Sequence, residues 1–476
     1  MGFIKRYRIW IVLALLIVPV ALRGLSFYHG YVIRPKVLSP DFASNAIPEP
    51  PISTSAPEQI TLRTGKVVIM DFLHSNQIAP SDMSSFVTAL TQRGARVEIT
   101  NGDLPLATQL KYASAYLVFS PSTSFSAEEV NLVRNFVTSG GRLMVFTDPT
   151  RGMSTYDYNS GLTINQPDAD SANNLLAPFG ISINNDYLYN LVKSEGNFRN
   201  VLFSTFGSST LTGDLTQVAF YGVHSVDAGS GMPLIIGDKN TYSSLTDSDG
   251  SGMAAAAVSA DGNVLVFGDF SFMIPPYNTV ADNGNLIRHI ADYALGGTHT
   301  HSVADFPYVF DRNVYVVPAG GMQMTADMLA PLASLQNELL ATSTSLAIQA
   351  EPPAEGDLLV VGSLTPSDDL IPYIESFHLG LDDPSTIVIP SLGTVSRSGI
   401  GLLLYHYTAT RNTLILLTDT LDDLPALIDL VSSGDLSSCV TQGDIGVCSI
   451  GSGNSYYAEP TWEPPLEGTP SSTPSG

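Results

Sequence analysis

Six polar residues are the chain's clearest candidates for chemistry: Asp71, His74, Asp148, Arg151, Asp269 and Ser271. Asp71 and His74 are close enough in sequence for a carboxylate to orient an imidazole. Such a pair can hold a proton, exchange one with a ligand, or offer two ligands to a metal. Asp148 with Arg151, and Asp269 with Ser271, repeat the theme of an acid followed within a turn by a cation or a hydroxyl. Brought together, these groups would orient a polar ligand, bind a metal or set a base beside an acid. The structural reading competes with this one. An Asp after a strand commonly caps the next turn, and a histidine beside it hydrogen-bonds within its own loop.

Two further groups invite a metal. Asp247-Ser248-Asp249-Gly250-Ser251-Gly252 matches the opening of a calcium loop, with oxygen ligands at Asp247, Asp249 and Ser251 and a turn-permitting glycine. The match ends there, because Val258 stands where the loop needs a bidentate Glu, so a polar hairpin is the favoured reading. His299 and His301, spaced by one residue, could ligate a metal from a strand edge, but a place in an interdomain linker is favoured. Apart from that calcium, no cofactor is expected. The chain contains no Gly-x-Ser-x-Gly elbow, no Walker loop and no His-Glu-x-x-His.

The strands that must carry these residues are legible as short β-branched runs alternating with helical periods, which predicts α/β domains with largely parallel sheets in three layers. Val67–Met70 reads as a first strand, 96–100 as a second, 115–119 as a third and 143–147 as a fourth. The segment 81–93 reads as a helix stopped by Gly94. Ser126 caps the next helix, with Glu128 and Glu129 complementing its dipole and Val130, Val133, Phe136 and Val137 forming its apolar stripe. A strand at 264–268 and a helix at 283–295 close the first domain. The strand ends thus point to Asp71 and His74, to Asp148 and Arg151, and to Asp269 and Ser271, and open parallel sheets bind ligands beyond such ends. A second domain opens at 314–317, continues through a helix at 325–342 and strands near 358–361, 386–389, 401–405 and 413–417, and ends in a helix at 422–431.

The 476 residues carry 21 Lys and Arg against 45 Asp and Glu, a net charge of -24 that argues against a nucleic-acid partner. Lys5, Arg6 and Arg8 precede an uncharged run from Ile9 to Leu22, the pattern of an export or anchoring signal with the N-terminus inside. An uncleaved anchor is favoured over cleavage near Gly24-Leu25-Ser26. The expected organisation is therefore a basic flank and membrane anchor at 1–34, a Pro-rich spacer at 35–60, a first domain at 61–300, a second at 308–455 and a Pro/Ser-rich disordered tail at 456–476. Cys439 and Cys448 are the two cysteines, and in an exported chain they read as a local disulfide, with two unpaired thiols as the alternative.

Val68-Ile69-Met70-Asp71-Phe72-Leu73-His74, the Gly94 stop, Phe125-Ser126-Ala127-Glu128-Glu129, Phe136-Val137-Thr138-Ser139-Gly140-Gly141-Arg142-Leu143 and Val266-Phe267-Gly268-Asp269-Phe270-Ser271 together carry a resemblance. Over residues 66–297 the chain resembles flavodoxin-like domains related in fold to class I glutamine amidotransferases. Such domains occur in membrane-anchored auxiliary proteins of gliding-type ABC transporters and in membrane proteins of unknown function. The resemblance implies the fold and an accessory role. It does not extend to glutamine hydrolysis, because the chain has no nucleophilic cysteine after a strand, nor does the chain carry a second apolar span.

These observations lead to an expected function: a membrane-anchored, extracytoplasmic, non-catalytic binding or scaffold protein, with subunits of a membrane complex as partners in a transport or envelope system. The alternative is an exported hydrolase or ligand-sensing enzyme using the strand-end Asp and His residues. A purely structural surface protein is a third class.

Overall fold

A computed structural model describes residues 2–28, 60–63, 65–157, 162–342, 344–390, 392–408, 410–434, 436 and 438–450; the side chains of 2–5, 153–157, 162–166, 247–249 and 341 fall outside the description. The expected tail, and all of the spacer except Ile60, lie outside the described residues.

The apolar run near the N-terminus forms helix α1, Gly2–Tyr28. Its Arg6–Tyr28 part, 23 residues with a mean hydropathy of 2.2, is long and apolar enough to cross a membrane. At 1.5 Å per residue this covers about 35 Å, against a hydrocarbon core of about 30 Å. The uncharged run of 9–22 alone would fall short; the helix continues through Arg23 to Tyr28 and makes up the length. A helix of this kind serves equally as an anchor or as an export signal. It belongs to one unit, Met1–Glu49, and the rest of the chain from Pro50 to another.

That second unit is built around two large sheets. In the first lobe, strands β1 (Val67–Met70), β2 (Arg96–Ile99), β3 (Ala115–Phe119) and β4 (Arg142–Phe146) join the later strand Val264–Phe267 in the order Val264–Phe267, β4, β3, β1, β2, all parallel. Alternate residues face opposite sides of this sheet. Val68, Met70, Leu117, Met144 and Leu265 pack on one side with α2 (Ser84–Gln92) and, at the end of the lobe, the helix Asn283–Leu295. Ile69, Tyr116, Val118, Val145 and Val266 pack on the other with α3 (Leu106–Tyr112), α4 (Ala127–Thr138) and α5 (Asp168–Leu176). The outcome is the expected α/β architecture with three layers. Arg93, at the end of α2, is buried and forks onto Asp292 at 2.7 and 3.0 Å, which ties α2 to the closing helix, here α6 (Asn283–Leu295).

Short strands add an antiparallel wing to this parallel half. Ala254–Val258 pairs with Val264–Phe267, Met232–Ile236 with Ala254–Val258, and Thr205–Phe206 with Met232–Ile236. The wing, together with α5, comes from the stretch between β4 and Val264, where the sequence reading assigned only the polar hairpin at 247–252. Its strands are two to five residues long and broken by Gly, Ser and Asn, so no period has room to show. The helix expected over 81–93 starts instead as a tight turn at Pro80–Met83, and α3 was not read at all.

The second lobe repeats the plan. Leu346–Ile348, Val314–Ala319, Asp357–Ser363 and Asn412–Thr418 run parallel, and Ile400–Tyr407, Ile445–Ser449 and Cys439–Gln442 extend the sheet antiparallel. Helix α7 (Leu329–Ala341) and the helix Leu424–Ser433 share one apolar core on this sheet. The expected strand 386–389 does not enter the sheet; Thr386–Ile389 forms a separate hairpin with Gly393–Ser396. Cys439 and Cys448 stand opposite one another at the sheet edge and form the disulfide.

Candidate functional site

The parallel order of the first lobe brings four strand ends side by side. β1 delivers Asp71, β3 Ser120, β4 Thr147 and Asp148, and Val264–Phe267 delivers Gly268 and Asp269. The ladder continues past the strands themselves: the backbone N–H of Asp71 donates to Leu117 O at 2.8 Å, that of Ser120 to Phe146 O at 2.7 Å, and that of Thr147 to Phe267 O at 3.0 Å. Beneath these ends the rings of Phe119, Phe146 and Phe267 stack in a row, with centroids 4.7 and 5.4 Å apart. Polar residues standing on this apolar floor are buried, and each has to find its partners within the protein.

Two clusters result. In the first, His74 Nδ1 lies 2.9 Å from Asp71 Oδ2, and Asp71 Oδ1 accepts hydrogen bonds from Tyr116 Oη at 2.9 Å and Thr100 Oγ1 at 3.3 Å. Asp71 is fully buried. The other face of the imidazole is taken by Phe125, stacked with its centroid 3.6 Å away, and Nε2 is 3.5 Å from Glu129 Oε1. Glu129 also accepts from the Ser126 backbone at 2.7 Å, closing the capping box of α4, so the helix start and the histidine share one carboxylate. Burial by itself would lower the His74 pKa. The hydrogen bond and charge of Asp71 and the charge of Glu129 outweigh it, and the imidazole holds its proton above its ordinary range. Burial of Tyr116, reinforced by the Asp71 charge, pushes its phenol well above its usual value.

The second cluster is centred on Asp168, the first residue of α5. Its Oδ2 accepts from Ser120 Oγ and, at 2.7 Å, from the backbone N–H of Asp148; its Oδ1 is 3.2 Å from His224 Nε2. Asp148 Oδ1 accepts from Thr150 N at 2.7 Å and Oγ1 at 2.6 Å, while its Oδ2 accepts from Ser271 Oγ at 2.6 Å. Asp269 accepts from the backbone N–H of Tyr221 at 2.8 Å and of Ser271 at 2.7 Å. Asp148, Asp168 and Asp269 are all buried. Burial raises the Asp148 pKa, with the Asp168 charge adding to it, and burial followed by repulsion from Asp148 holds Asp269 well above the carboxylate range. Gly268 is required here: a Cβ on it would lie 2.1 Å from the carbonyl oxygen of His224.

Arg151 is where this network meets the surface. Its Nε is 3.8 Å from Asp148 Oδ2, its Nη1 is 3.4 Å from Asp82, and its guanidinium lies over the Phe270 ring at 5.2 Å. It lines a shallow depression of about 540 Å³ together with Asn76, Gln77, Asp82 and Thr150.

The six residues singled out in the sequence therefore fall into two groups, Asp71 with His74 and Asp148 with Arg151, Asp269 and Ser271. Loop contacts link the groups: Ser122 N donates to His74 O at 3.0 Å and Gln77 N to Ser120 O at 3.0 Å. Sequence reasoning missed Ser120, Asp168, His224, Tyr116 and Thr100. Ser120 was within reach of the strand-end rule that found Asp71. Asp168 and His224 lie in the stretch without a readable period, and Glu129 was read only as a dipole partner. Of the calcium candidate, the backbone at Thr246–Asp249 is a strand paired with Thr241–Ser243, so the expected loop begins only at Gly250. The side chains of Asp247 and Asp249 lie outside the described residues.

Residues 75–286 match the model of a domain of unknown function, DUF4350. No curated protein matches the chain. Among solved structures, the chain is similar to the mmIFT52 N-terminal domain, at 12% identity over 48% of this chain and 97% of that one, with a TM-score of 0.39. A thua-like protein from Bacteroides uniformis aligns at 12% identity over 51% of this chain and 95% of that one, with a TM-score of 0.28. PurLQS from Thermotoga maritima aligns at 10% identity over 48% and 99%, with a TM-score of 0.23.

Proposed function

We propose that the chain is a membrane-tethered, extracytoplasmic, non-catalytic binding protein, accessory to a transport or envelope system. The observation that carries the non-catalytic part is the wiring at Asp168. Hydrolytic triads place the histidine between nucleophile and acid, so that the imidazole takes the hydroxyl proton. Here the acid stands between: Ser120 Oγ donates to Asp168, and His224 contacts the other oxygen of the same carboxylate. An imidazole so placed has no path to the Ser120 proton. Asp71, Asp148 and Asp269 likewise accept their hydrogen bonds from the protein's own groups. Binding then falls to the rim, where Arg151 and the depression beside it present a cation and amide groups to an acidic or carbonyl-bearing partner.

The outward placement rests on Lys5, Arg6 and Arg8 ahead of the apolar segment of α1, and on the Cys439–Cys448 disulfide, which suits an oxidising compartment. In spheroplasts, external protease should digest the bulk of the chain; protection of the bulk would overturn the orientation. The competing reading, an exported hydrolase or ligand-sensing enzyme, is favoured by the Asp71–His74 pair. Assaying the purified intact chain on ester, amide and glycoside substrates separates the two. Turnover abolished by His74→Ala or Ser120→Ala would make it an enzyme. Absence of turnover, with recovery of the same membrane subunits from detergent extracts of parent but not of Arg151→Glu, is the result expected here.

A further inference from the structure

His299 and His301 lie between the last helix of the first lobe and the first strand of the second, ahead of a single tight turn at Val303–Asp305. This segment is pinned to the first lobe. The Thr300 N–H donates to Ser139 O at 2.7 Å, the His299 ring meets the edge of Phe136 at 5.5 Å, and Gly140, at φ 96°, passes so close that a Cβ on it would lie 2.4 Å from Thr298 O. A few residues on, Val303, Phe306, Val309 and Phe310 enter the core of the second lobe. The junction is thus held by apolar contacts on both sides, with a polar knot at its centre.

In that knot, ligand atoms of His299, His301 and Asp305 all lie within 4.8 Å of one another. The two rings are 4.9 Å apart, centre to centre. Nδ1 of His299 and Nδ1 of His301 are both buried, and neither has a hydrogen-bond partner. A buried polar atom without a partner is costly, and two in neighbouring rings need a common explanation. Asp305 is held in turn by Ser302, whose N–H and Oγ donate to Oδ2 at 2.7 and 3.1 Å. A carboxylate held by a hydroxyl and a backbone N–H is the kind of outer support that metal-binding side chains receive.

We infer that His299, His301 and Asp305 form a divalent transition-metal site that fastens the junction between the two lobes. Two imidazoles and one carboxylate select zinc-like ions over calcium or magnesium, which prefer all-oxygen ligands. Three protein ligands leave a fourth position for water or for a group from elsewhere. Zinc–nitrogen bonds of about 2.0–2.1 Å place tetrahedral ligands roughly 3.4 Å apart, so loading draws the three groups in only modestly. Lys66 is the opposing charge nearby; its ammonium donates to Gly297 O at 3.0 Å, and Asp311 sets a carboxylate against it.

The test uses the intact, detergent-solubilised chain, freed of metal and titrated with Co²⁺ and then Zn²⁺. One Co²⁺ per chain should appear with the visible absorption of a four-coordinate site, be displaced by Zn²⁺, and weaken by about tenfold or more in His301→Gln and in Asp305→Asn. Zn²⁺ should raise the thermal midpoint of the parent and not that of His299→Ala/His301→Ala. Diethylpyrocarbonate labelling read by mass spectrometry needs no variant: stoichiometric Zn²⁺ should protect His299 and His301 alone. Absence of stoichiometric Co²⁺ binding, unchanged affinity in the variants, or protection of other histidines would overturn the assignment.

Discussion

The two lobes share one plan, a sheet that is parallel on one side and antiparallel on the other, yet the buried carboxylates at their strand ends lie at opposite ends of it. In the first lobe Asp71, Asp148 and Asp269 follow the carboxyl ends of parallel strands, and Asp168 joins them from α5. In the second, the fully buried acid is Asp357, the first residue of its strand. Its Oδ2 accepts from the backbone N–H groups of Asp311 and Arg312 at 2.9 and 3.0 Å, and its Oδ1 from that of Asn412 at 2.9 Å. Asp357 therefore ties the starts of adjacent strands together, at the end of the sheet where ligands do not bind. The carboxyl ends of the second sheet are handled by Arg397, which donates to Leu364 O at 2.8 Å and pairs with Asp419 at 3.4 Å. A buried carboxylate is thus not in itself a mark of function. Its position on the sheet and the source of its hydrogen bonds decide which role it has.

The sharpest way to break this comparison is to remove the hub of each network. Asp168→Ala leaves the Ser120 hydroxyl and the Asp148 N–H unpaired and His224 without its acid, and should cost about 3–5 kcal/mol of stability by denaturant unfolding. A loss near zero would mean that water or a ligand already serves those groups. Asp357→Ala leaves three backbone N–H groups unpaired and should cost about 2–4 kcal/mol. If only the first substitution also weakens partner recovery, the division between a site and a staple holds; equal weakening by both would dissolve it. Converting both cysteines to serine opens a small ring at the edge of the second sheet and should lower stability by about 2–3 kcal/mol, leaving recovery through the first lobe unchanged.

The smallest expected effect is the pH dependence of the first lobe. His74, Asp148 and Asp269 all have raised pKa values, so the folded state binds more protons than the unfolded chain. Stability from these groups is complete below their ordinary values, 3.8 for the acids and 6.5 for the histidine, and is lost as pH rises through the raised ones. Thermal midpoints measured across that span should fall with rising pH. His74→Gln and Asp269→Asn should each flatten part of that fall. A midpoint that rises through neutrality and stays unaffected by His74→Gln would contradict the charge environment described for that ring.

Much of the parallel half of each sheet was legible beforehand, because buried parallel strands read as unbroken apolar runs and their helices carry caps and stripes. Val67–Met70, Ala115–Phe119 and Asn283–Leu295 appear where the pattern placed them. The antiparallel wing of the first lobe was not legible, because strands of two to five residues are too short to display a period and their pairing is decided by partners distant in sequence, whereas the longer antiparallel strand Ile400–Tyr407 of the second lobe was read near 401–405. The site divides along the same line. Asp71, His74, Asp148 and Asp269 could be named because a strand end is a local feature. Asp168 and His224 could not, since nothing adjacent to them in the chain says that they fold back onto β3 and β4.

By itself the sequence determined the apolar N-terminal segment, the α/β class and the presence of polar residues at strand ends, all of which depend on composition and neighbours within a few residues. Tertiary structure alone decided which oxygen faces which donor. It placed Asp168 between Ser120 and His224, gave Glu129 to His74 as well as to its helix cap, and brought His299 and His301, each with a buried unpartnered Nδ1, together with Asp305. Hydrogen-bond geometry is set at a scale of tenths of an ångström by contacts far apart in the chain, and the chemistry available to a buried side chain is fixed at that scale.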